Sequence, residues 1–382
     1  MIYLNNGATS FPKPQSVIEA VKDCLLVPAH HGVRTGFKTD IGDHIYECRI
    51  ALSKIFNIAD PMQIILCSGS TEALNLVIRG LDLKGKHVII TSLEHNSVIR
   101  PLKRLEKEGE IELTIVECDK HANIDPQNIR SALRTNTKLI AINHCSNVTG
   151  AVADIKTIAK IAHENDAYIL VDASQSAGNV PIKFDKWDID FLAFTGHKSL
   201  YGIQGTGGLV LKKGIELEPL KVGGTGIHSD NLFQPEGMPL HYEAGTPNNP
   251  GIISLLAGVN WVMETGLDVI ADHKKKLFDI IYSELKNIPG MICYNLSKKN
   301  AYTNFCFNIE GIVPEEVGYI LDSSFDILVR TGLHCAPLLL KPIGAHPWGT
   351  VRASFSYFTS EKEISIFIDA VKQIASTRKS KS

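Results

Sequence analysis

Short apolar segments alternate with amphipathic segments between about residues 60 and 212. The short segments are apolar almost throughout, which is typical of strands with both faces buried. These predicted strands cover residues 64–66, 87–91, 111–117, 138–143, 167–172, 191–194 and 208–211. Between them, residues 71–81, 96–107 and 155–165 carry apolar side chains at helical spacing. We therefore predict an α/β fold in which helices cover a mostly parallel, mixed sheet.

The pattern changes after Pro250, where two helical stretches lead into a smaller group of mixed elements. We predict helices over residues 252–263, 268–286 and 314–321, and strands over residues 304–309, 326–329 and 351–357. A last helix begins at Ser360, which forms a capping box with Glu363. We expect two domains, a large one of residues 15–250 and a smaller α+β domain of residues 1–14 plus 251–382.

Charge and cysteine usage narrow the class of protein. The 382 residues include 39 Lys and Arg and 41 Asp and Glu, a net charge of −2, which does not favour nucleic-acid binding. The apolar runs fall short of the ~20 residues that a membrane span needs, and the first residues lack the features of a signal peptide. Eight scattered cysteines without a C-x-x-C pair are typical of the reducing cytoplasm. We expect a cytoplasmic protein that binds neither nucleic acid nor membrane.

Residues that carry chemistry follow several predicted strands, where ligands bind in parallel α/β folds. Lys198 lies in the segment TGHK directly after one strand, and Asp172 and Gln175 lie in DASQ after the strand before it. Ser70 and Thr71 open a helix after another strand, so that their hydroxyls and the helix amides form an anion cradle. Taken alone, each fragment is more often a surface lysine or a helix cap.

Taken together, these fragments match what pyridoxal phosphate requires. That cofactor needs a lysine for its covalent link, an acid for the pyridine nitrogen and a pocket for its phosphate. His95, which also follows a strand, supplies a side chain of the size that stacks on the pyridine ring. We therefore predict pyridoxal phosphate as the cofactor, and we predict no metal site.

From Tyr3 to Arg352, the sequence resembles the class V aminotransferase group of fold-type I pyridoxal-phosphate enzymes. The resemblance is to the cysteine desulfurase and selenocysteine lyase branch in particular, and its most specific motifs are residues 172–175 and 195–198. It implies that Lys198 binds the cofactor, Asp172 pairs with the ring nitrogen, Gln175 faces the phenolic oxygen and His95 stacks on the ring. The implied phosphate ligands are Ser70, Thr71, Thr195 and His197.

The same resemblance implies a homodimer and an amino-acid substrate. Gly245 and Thr246 match a pair that reaches the phosphate of the other subunit. Asn147 matches a residue near the substrate carboxylate, and Arg352 matches the arginine that binds it, in keeping with the bidentate fit of guanidinium to carboxylate.

Cys335 lies in the segment RTGLHCA, which resembles the second of the two desulfurase groups. In that group, this cysteine takes the sulfur of L-cysteine as a persulfide and L-alanine is formed, with Lys198 and His95 as the further catalytic residues here. The resemblance further implies a partner protein that accepts the sulfur. The sequence departs from the pattern at Leu333, which replaces a second histidine, and in the apolar run 336–340.

Three alternatives stay open at this point. The first keeps the cofactor but changes the reaction to that of a selenocysteine lyase, another class V β-lyase or an aminotransferase. The second is a Rossmann-type nucleotide binder, suggested by the glycines of residues 202–208, although these precede a strand instead of following one. The third is a non-catalytic binding scaffold, which the complete set of matching residues disfavours.

Overall fold

The computed structural model describes residues 1–26, 43–226, 230–294, 297 and 299–377. Its strands are β1 (Ile2–Tyr3), β2 (Ile64–Cys67), β3 (Lys86–Thr91), β4 (Ile111–Val116), β5 (Thr137–Asn143), β6 (Tyr168–Asp172), β7 (Phe191–Thr195), β8 (Gly207–Leu211), β9 (Met291–Cys293), β10 (Asn304–Ile309), β11 (Ile327–Leu328), β12 (Arg330–Gly332) and β13 (Thr350–Ser354). Its helices are α1 (Gln15–Leu26), α2 (His44–Phe56), α3 (Ser70–Gly80), α4 (Asn96–Lys107), α5 (Pro126–Ala132), α6 (Ile155–His163), α7 (Phe184–Trp187), α8 (Asn249–Thr265), α9 (Leu267–Leu285), α10 (Pro314–Phe325) and α11 (Glu361–Ser376).

The large sheet has the strand order β2-β8-β7-β6-β5-β3-β4. Strand β8 pairs antiparallel with both of its neighbours, and the other neighbouring pairs are parallel. Separate apolar clusters pack on its two faces. Each strand predicted between residues 60 and 212 is present, so the expectation of a mostly parallel, mixed sheet covered by helices is confirmed.

A second, four-stranded antiparallel sheet has the order β12-β13-β10-β9, and β1 pairs in parallel with β11. A third apolar cluster packs this part, with Leu4 next to side chains of β10, β13 and α11. The capping box of Ser360 and Glu363 is confirmed. Helix α8 packs against α1 and α2. We retain the division into residues 15–250 and residues 1–14 plus 251–382 as a proposal.

Four predicted elements of the second part differ in length from the observed ones, beginning with helix α8, which extends beyond the predicted 252–263 at both ends. Helix α10 continues past the predicted end at residue 321, and it ends at Asp326, where a left-handed residue (φ 53°) returns its N–H to the last turn. Strand β13 ends at Ser354, and β11 covers only two residues of the predicted 326–329.

One pair of helices bears on the membrane question. Within the described residues, no single helix is long and apolar enough to cross a bilayer. Helices α8 and α9 together meet that length and composition, but they bend by 79° where they join.

The sheet brings the carboxyl ends of β2, β3, β5, β6 and β7 to one edge, because these strands run in the same direction. The glycines before β8 serve packing at that edge. A Cβ atom on Gly207 would lie 2.6 Å from the Cα of Gly69, so only glycine lets β8 approach the start of α3 this closely. Packing therefore explains at least one glycine of the segment 202–208, and this glycine is not evidence for a nucleotide-binding loop.

Candidate active site

Asp172 ends β6 with its side chain almost fully buried, at 3% exposure. Its Oδ1 accepts a hydrogen bond of 2.9 Å from the backbone N–H of Ser174 and another from the Ser174 hydroxyl. Its Oδ2 accepts no hydrogen bond from any residue that the structure describes. A carboxylate held on one oxygen and open on the other fits a protonated ring nitrogen.

Lys198 follows β7 and lies within electrostatic reach of several charged groups. Burial lowers the pKa of its ammonium to about 8, a change that Asp172 and Cys335 oppose and that Arg352 and Arg330 support. The side chain is partly accessible to solvent. An amine with a pKa near neutrality is available as the free base, which a covalent link or a proton transfer requires.

The loop that carries Lys198 is held by the start of the chain. The carbonyl of His197 accepts hydrogen bonds from the Thr9 hydroxyl (3.1 Å), the Ser10 backbone (3.0 Å) and the Lys13 ammonium (3.1 Å). The same ammonium donates to the carbonyl of Gly202 at 2.6 Å. These residues were missed by the sequence analysis, since a threonine, serine and lysine near the N-terminus carry no recognisable signal.

The start of α3 lies beside Thr195. Ser70 and Thr71 are the first residues of α3, and Gly69 occupies the N-cap position without a side-chain cap, which leaves the first amides of α3 open to a ligand. A Cβ atom on Gly69 would lie 3.8 Å from Oγ1 of Thr195. The Thr71 hydroxyl is 2.8 Å from that of Ser97 at the start of α4. The predicted phosphate ligands at the start of α3 and at the end of β7 are thus adjacent.

Two histidines border this cradle. His95 accepts the backbone N–H of Ser97 at its Nδ1 (3.1 Å), so a neutral ring carries its proton on Nε2. Burial lowers the pKa of His95, and the charge of Asp172 partly opposes that change. Burial also lowers the pKa of His197 to about 4. Its buried Nδ1 has no hydrogen-bond partner among the described residues, and an unsatisfied ring nitrogen fits a hydrogen bond to a ligand.

Gln175 and the pair Gly245 and Thr246 occupy different surroundings. Gln175 is nearly buried and donates from Nε2 to the carbonyl of Gly7 at 2.9 Å. Gly245 and Thr246 are exposed, and the preceding Glu243 is fixed by a hydrogen-bonded ion pair with Arg49 of 2.6 Å. The contact of this exposed pair with a second subunit stays a prediction.

Arg352 lies in β13 with no exposed surface. Its guanidinium donates to the carbonyl of Asn147 at 2.6 Å and to the side-chain oxygen of Asn5 at 3.3 Å. Among the described residues, its Nε has no hydrogen-bond partner and no carboxylate forms an ion pair with it. Burial lowers its pKa to about 10. A buried guanidinium without a carboxylate partner fits an incoming carboxylate.

Cys335 lies in the loop after β12, which contacts both Asn147, the partner of Arg352, and Asn96 at the start of α4. His334 and Cys335 adopt left-handed backbone angles (φ 51° and 58°), which turn the chain sharply after β12. The loop is fixed by a hydrogen bond of 2.7 Å from the Asn147 amide to the His334 carbonyl and one of 2.8 Å from the Asn96 N–H to the Cys335 carbonyl. The Cys335 sulfur accepts a hydrogen bond of 3.1 Å from Arg330.

Arg330 is a functional candidate that the sequence analysis did not single out, although it lies in the same motif as Cys335. Its guanidinium is the hydrogen-bond donor to the Cys335 sulfur. The remaining cysteines are free of disulfides, and burial raises the pKa of most of them: to about 12 for Cys48, Cys145 and Cys306, to about 11 for Cys293, and in the same direction for Cys67 and Cys118. Cys335 differs from these cysteines in that its sulfur accepts a hydrogen bond from an arginine, Arg330.

The donor set of this site fits pyridoxal phosphate. Lys198 would form the covalent link, and the open oxygen of Asp172 would face the ring nitrogen. The uncapped start of α3 and the unpartnered Nδ1 of His197 would face the phosphate. Among the described residues, no cluster of His, Cys, Asp or Glu is suited to a metal ion.

Comparison with known proteins gives consistent matches. A family model described as aminotransferase class-V matches residues 2–367. Proteins named probable cysteine desulfurase are 35% identical in Methanothermobacter thermautotrophicus (98% of this chain, 94% of the relative) and 33% identical in Halalkalibacterium halodurans (95% and 90%).

Two solved structures match the fold with a TM-score of 0.89. The apo structure of a cysteine desulfurase from Thermococcus onnurineus NA1 is 32% identical and covers 98% of this chain and 94% of its own. The cysteine desulfurase CsdA from Escherichia coli is 24% identical, covers 99% and 95%, and shows the fold alone. These matches confirm the predicted fold class, the architecture of the fold-type I pyridoxal-phosphate enzymes. With nearly the whole chain matched, the protein belongs to the aminotransferase class-V family.

Proposed function

We propose that the protein is a pyridoxal-phosphate-dependent cysteine desulfurase, which converts L-cysteine to L-alanine and holds the sulfur as a persulfide on Cys335. The names of the full-length relatives support this reaction. The observation that carries it is the position of Cys335, whose sulfur is 3.1 Å from Arg330 and interacts electrostatically with Lys198 and Arg352. These interactions of the Cys335 sulfur with the amine and with the proposed carboxylate-binding arginine support its role as the nucleophile.

The cofactor, when bound, supplies an electron-withdrawing ring that accepts the electrons of the Cα–H bond of the substrate. Lys198 takes the proton from Cα and later returns it, work that typically contributes ~10²–10⁴-fold in rate. His95 would stack on the ring, and Asp172 would keep the ring nitrogen protonated. Gln175 would hold the phenolic oxygen. Ser70, Thr71, Thr195 and His197 would hold the phosphate.

The substrate is oriented by its carboxylate. Arg352 donates to it, and the Asn147 carbonyl fixes the position of the guanidinium. Because Asn147 also donates to the His334 carbonyl, one residue links the carboxylate site to the loop of the reactive sulfur. This link sets the distance between the bound substrate and Cys335.

The sulfur transfer balances without an external oxidant or reductant. The Cys335 thiolate, stabilised by Arg330, attacks the sulfur of L-cysteine, and an S–S bond forms. The Cβ–S bond of the substrate breaks, and its electron pair stays on Cβ, which takes up a proton to become the methyl group of alanine. The products are L-alanine and a persulfide on Cys335, ready for transfer to an acceptor thiol.

The remaining partners follow from this proposal. We propose a homodimer in which the exposed Gly245 and Thr246 of each subunit reach the phosphate of the other. We propose a sulfur-acceptor protein as a second partner, since a persulfide must be discharged for turnover. The cytoplasm suits an enzyme whose eight cysteines are all free.

The reaction is tested by comparing substrates. Purified enzyme with pyridoxal phosphate is assayed for alanine formed from L-cysteine, L-selenocysteine and L-cysteine sulfinate. If the protein is a cysteine desulfurase, alanine is formed from L-cysteine by the wild type and not by a variant without Cys335. Turnover of L-selenocysteine alone would identify a selenocysteine lyase, and amino transfer to a keto acid without sulfur release would identify an aminotransferase.

Replacing Arg352 by glutamine should impair substrate binding. Loss of charge-assisted hydrogen bonds to the carboxylate lowers kcat/KM for L-cysteine by about 10²-fold, mainly through a higher KM. Steady-state kinetics measure the effect, and Arg104→Gln, at an exposed position of α4, is the matched control. An unchanged KM in Arg352→Gln would contradict the assignment.

A further inference from the structure

Lys274 is a buried lysine in the middle of α9, far along the chain from the active-site motifs. It is 2% exposed, whereas the adjacent Lys275 and Lys276 are exposed and form surface ion pairs with Asp279 and Glu361. Among the described residues, no carboxylate pairs with Lys274. Its ammonium donates a hydrogen bond to the side-chain oxygen of Asn179. Burial of an ammonium whose partner is a neutral amide costs free energy, and an apolar side chain would pack there at lower cost. A role for the amine itself would account for its presence.

Asn179, the partner of Lys274, also forms hydrogen bonds with the two loops that carry the proposed cofactor-binding residues. One hydrogen of its amide goes to the Gln175 carbonyl at 2.7 Å, and the other goes to the Ser199 hydroxyl at 2.7 Å. Gln175 belongs to the loop after β6, and Ser199 follows Lys198 in the loop after β7. The side-chain oxygen of Asn179 accepts the hydrogen bond from Lys274, so all the hydrogen-bonding atoms of its amide have partners.

The two loops are also in direct contact at this point. Gly178 has a left-handed φ of 78°, and a Cβ atom there would lie 2.2 Å from the Ser199 carbonyl oxygen. Space between the loops is therefore too small for any side chain. Cys145, after β5, interacts electrostatically with both Lys274 and Lys198, so both amines lie within electrostatic reach of one buried thiol.

We propose that Lys274 is a positioning residue, which acts through Asn179 to fix the loops of Gln175 and Lys198 relative to each other and to α9. The proposal rests on the proposed function only in assigning Lys198 and Gln175 to the cofactor. The ammonium orients the Asn179 amide, and the oriented amide then directs its two hydrogens to the two loops. Removal of the amine leaves the amide free to rotate and loosens both hydrogen bonds.

The first test replaces Lys274 by methionine, which preserves the length and the burial, with Lys275→Met on the exposed side of α9 as the control. In holoenzyme without substrate, hydrogen exchange should become faster in residues 173–180 and 197–202 in Lys274→Met only. The visible absorbance of bound pyridoxal phosphate should shift in the same variant. With L-cysteine, kcat should fall about tenfold or more while KM stays unchanged, because Arg352 is untouched.

The second test separates positioning from stability. Asn179→Asp keeps an oxygen on Lys274 and gives the amine a charged partner, but it removes both donated hydrogens. We expect the same faster exchange and lower kcat in this variant, measured well below its own thermal midpoint, which thermal unfolding determines beside that of Lys274→Met. Wild-type exchange, absorbance and kcat in Asn179→Asp would overturn the proposal, as would their retention in Lys274→Met. Since exchange is read without substrate, failure of the proposed reaction would leave this test intact.

Discussion

Cys335→Ser should lose sulfur transfer while keeping the cofactor. We expect sulfide release from L-cysteine in the presence of a thiol reductant to fall by on the order of 10³-fold or more, because the attacking sulfur is absent. The absorbance of bound pyridoxal phosphate should be unchanged, since Cys335 contacts Arg330 and is not among the cofactor ligands. Both quantities are measured on the same preparation.

Cys24→Ser is the matched control, because Cys24 is also partly buried but lies on α1. It should release sulfide at the wild-type rate. Full activity of Cys335→Ser would show that sulfur leaves by direct elimination, and the persulfide assignment would then be wrong.

Lys198→Ala should abolish both the covalent attachment of the cofactor and the proton transfer at Cα. We expect alanine formation to fall by at least ~10²–10⁴-fold, the usual contribution of a positioned acid–base group. Borohydride reduction of the wild-type holoenzyme, followed by peptide mass mapping, should find the pyridoxyl group on Lys198. The pKa of about 8 makes this amine more reactive than an exposed lysine.

Lys213→Ala, at an exposed position after β8, is the control and should retain full activity and labelling. Two results would contradict the assignment of Lys198. One is a pyridoxyl group on a different lysine of the wild type, and the other is wild-type alanine formation in Lys198→Ala.

The sequence allowed the sheet and much of the site to be predicted because both have local signals. Buried parallel strands are continuous apolar runs, and the residues that follow them meet at one edge of the sheet. Lys198, Asp172 and His95 each follow such a strand, and they are mutually close in the structure. The role of each of these residues stays a proposal.

Other parts of the site depend on contacts between distant segments, which have no local signal. Arg330 reaches Cys335 because Gly332 and His334, both with a left-handed backbone, turn the chain back between them. Asn5 meets Arg352 across 347 residues of chain, since the N-terminal segment crosses the end of β13. Lys274 is the first of three consecutive lysines, a sequence that is typical of a solvent-exposed part of a helix. Only the packing of α9 shows that this one is buried.

The central claim is that Cys335 takes the sulfur of L-cysteine. Holoenzyme is mixed with one equivalent of L-cysteine in the absence of a reductant, alanine is quantified, and the protein is analysed by intact mass and peptide mass mapping. The proposal predicts one added sulfur per alanine formed, located on Cys335. Alanine formed without added sulfur, or with the sulfur on a different cysteine, would contradict it.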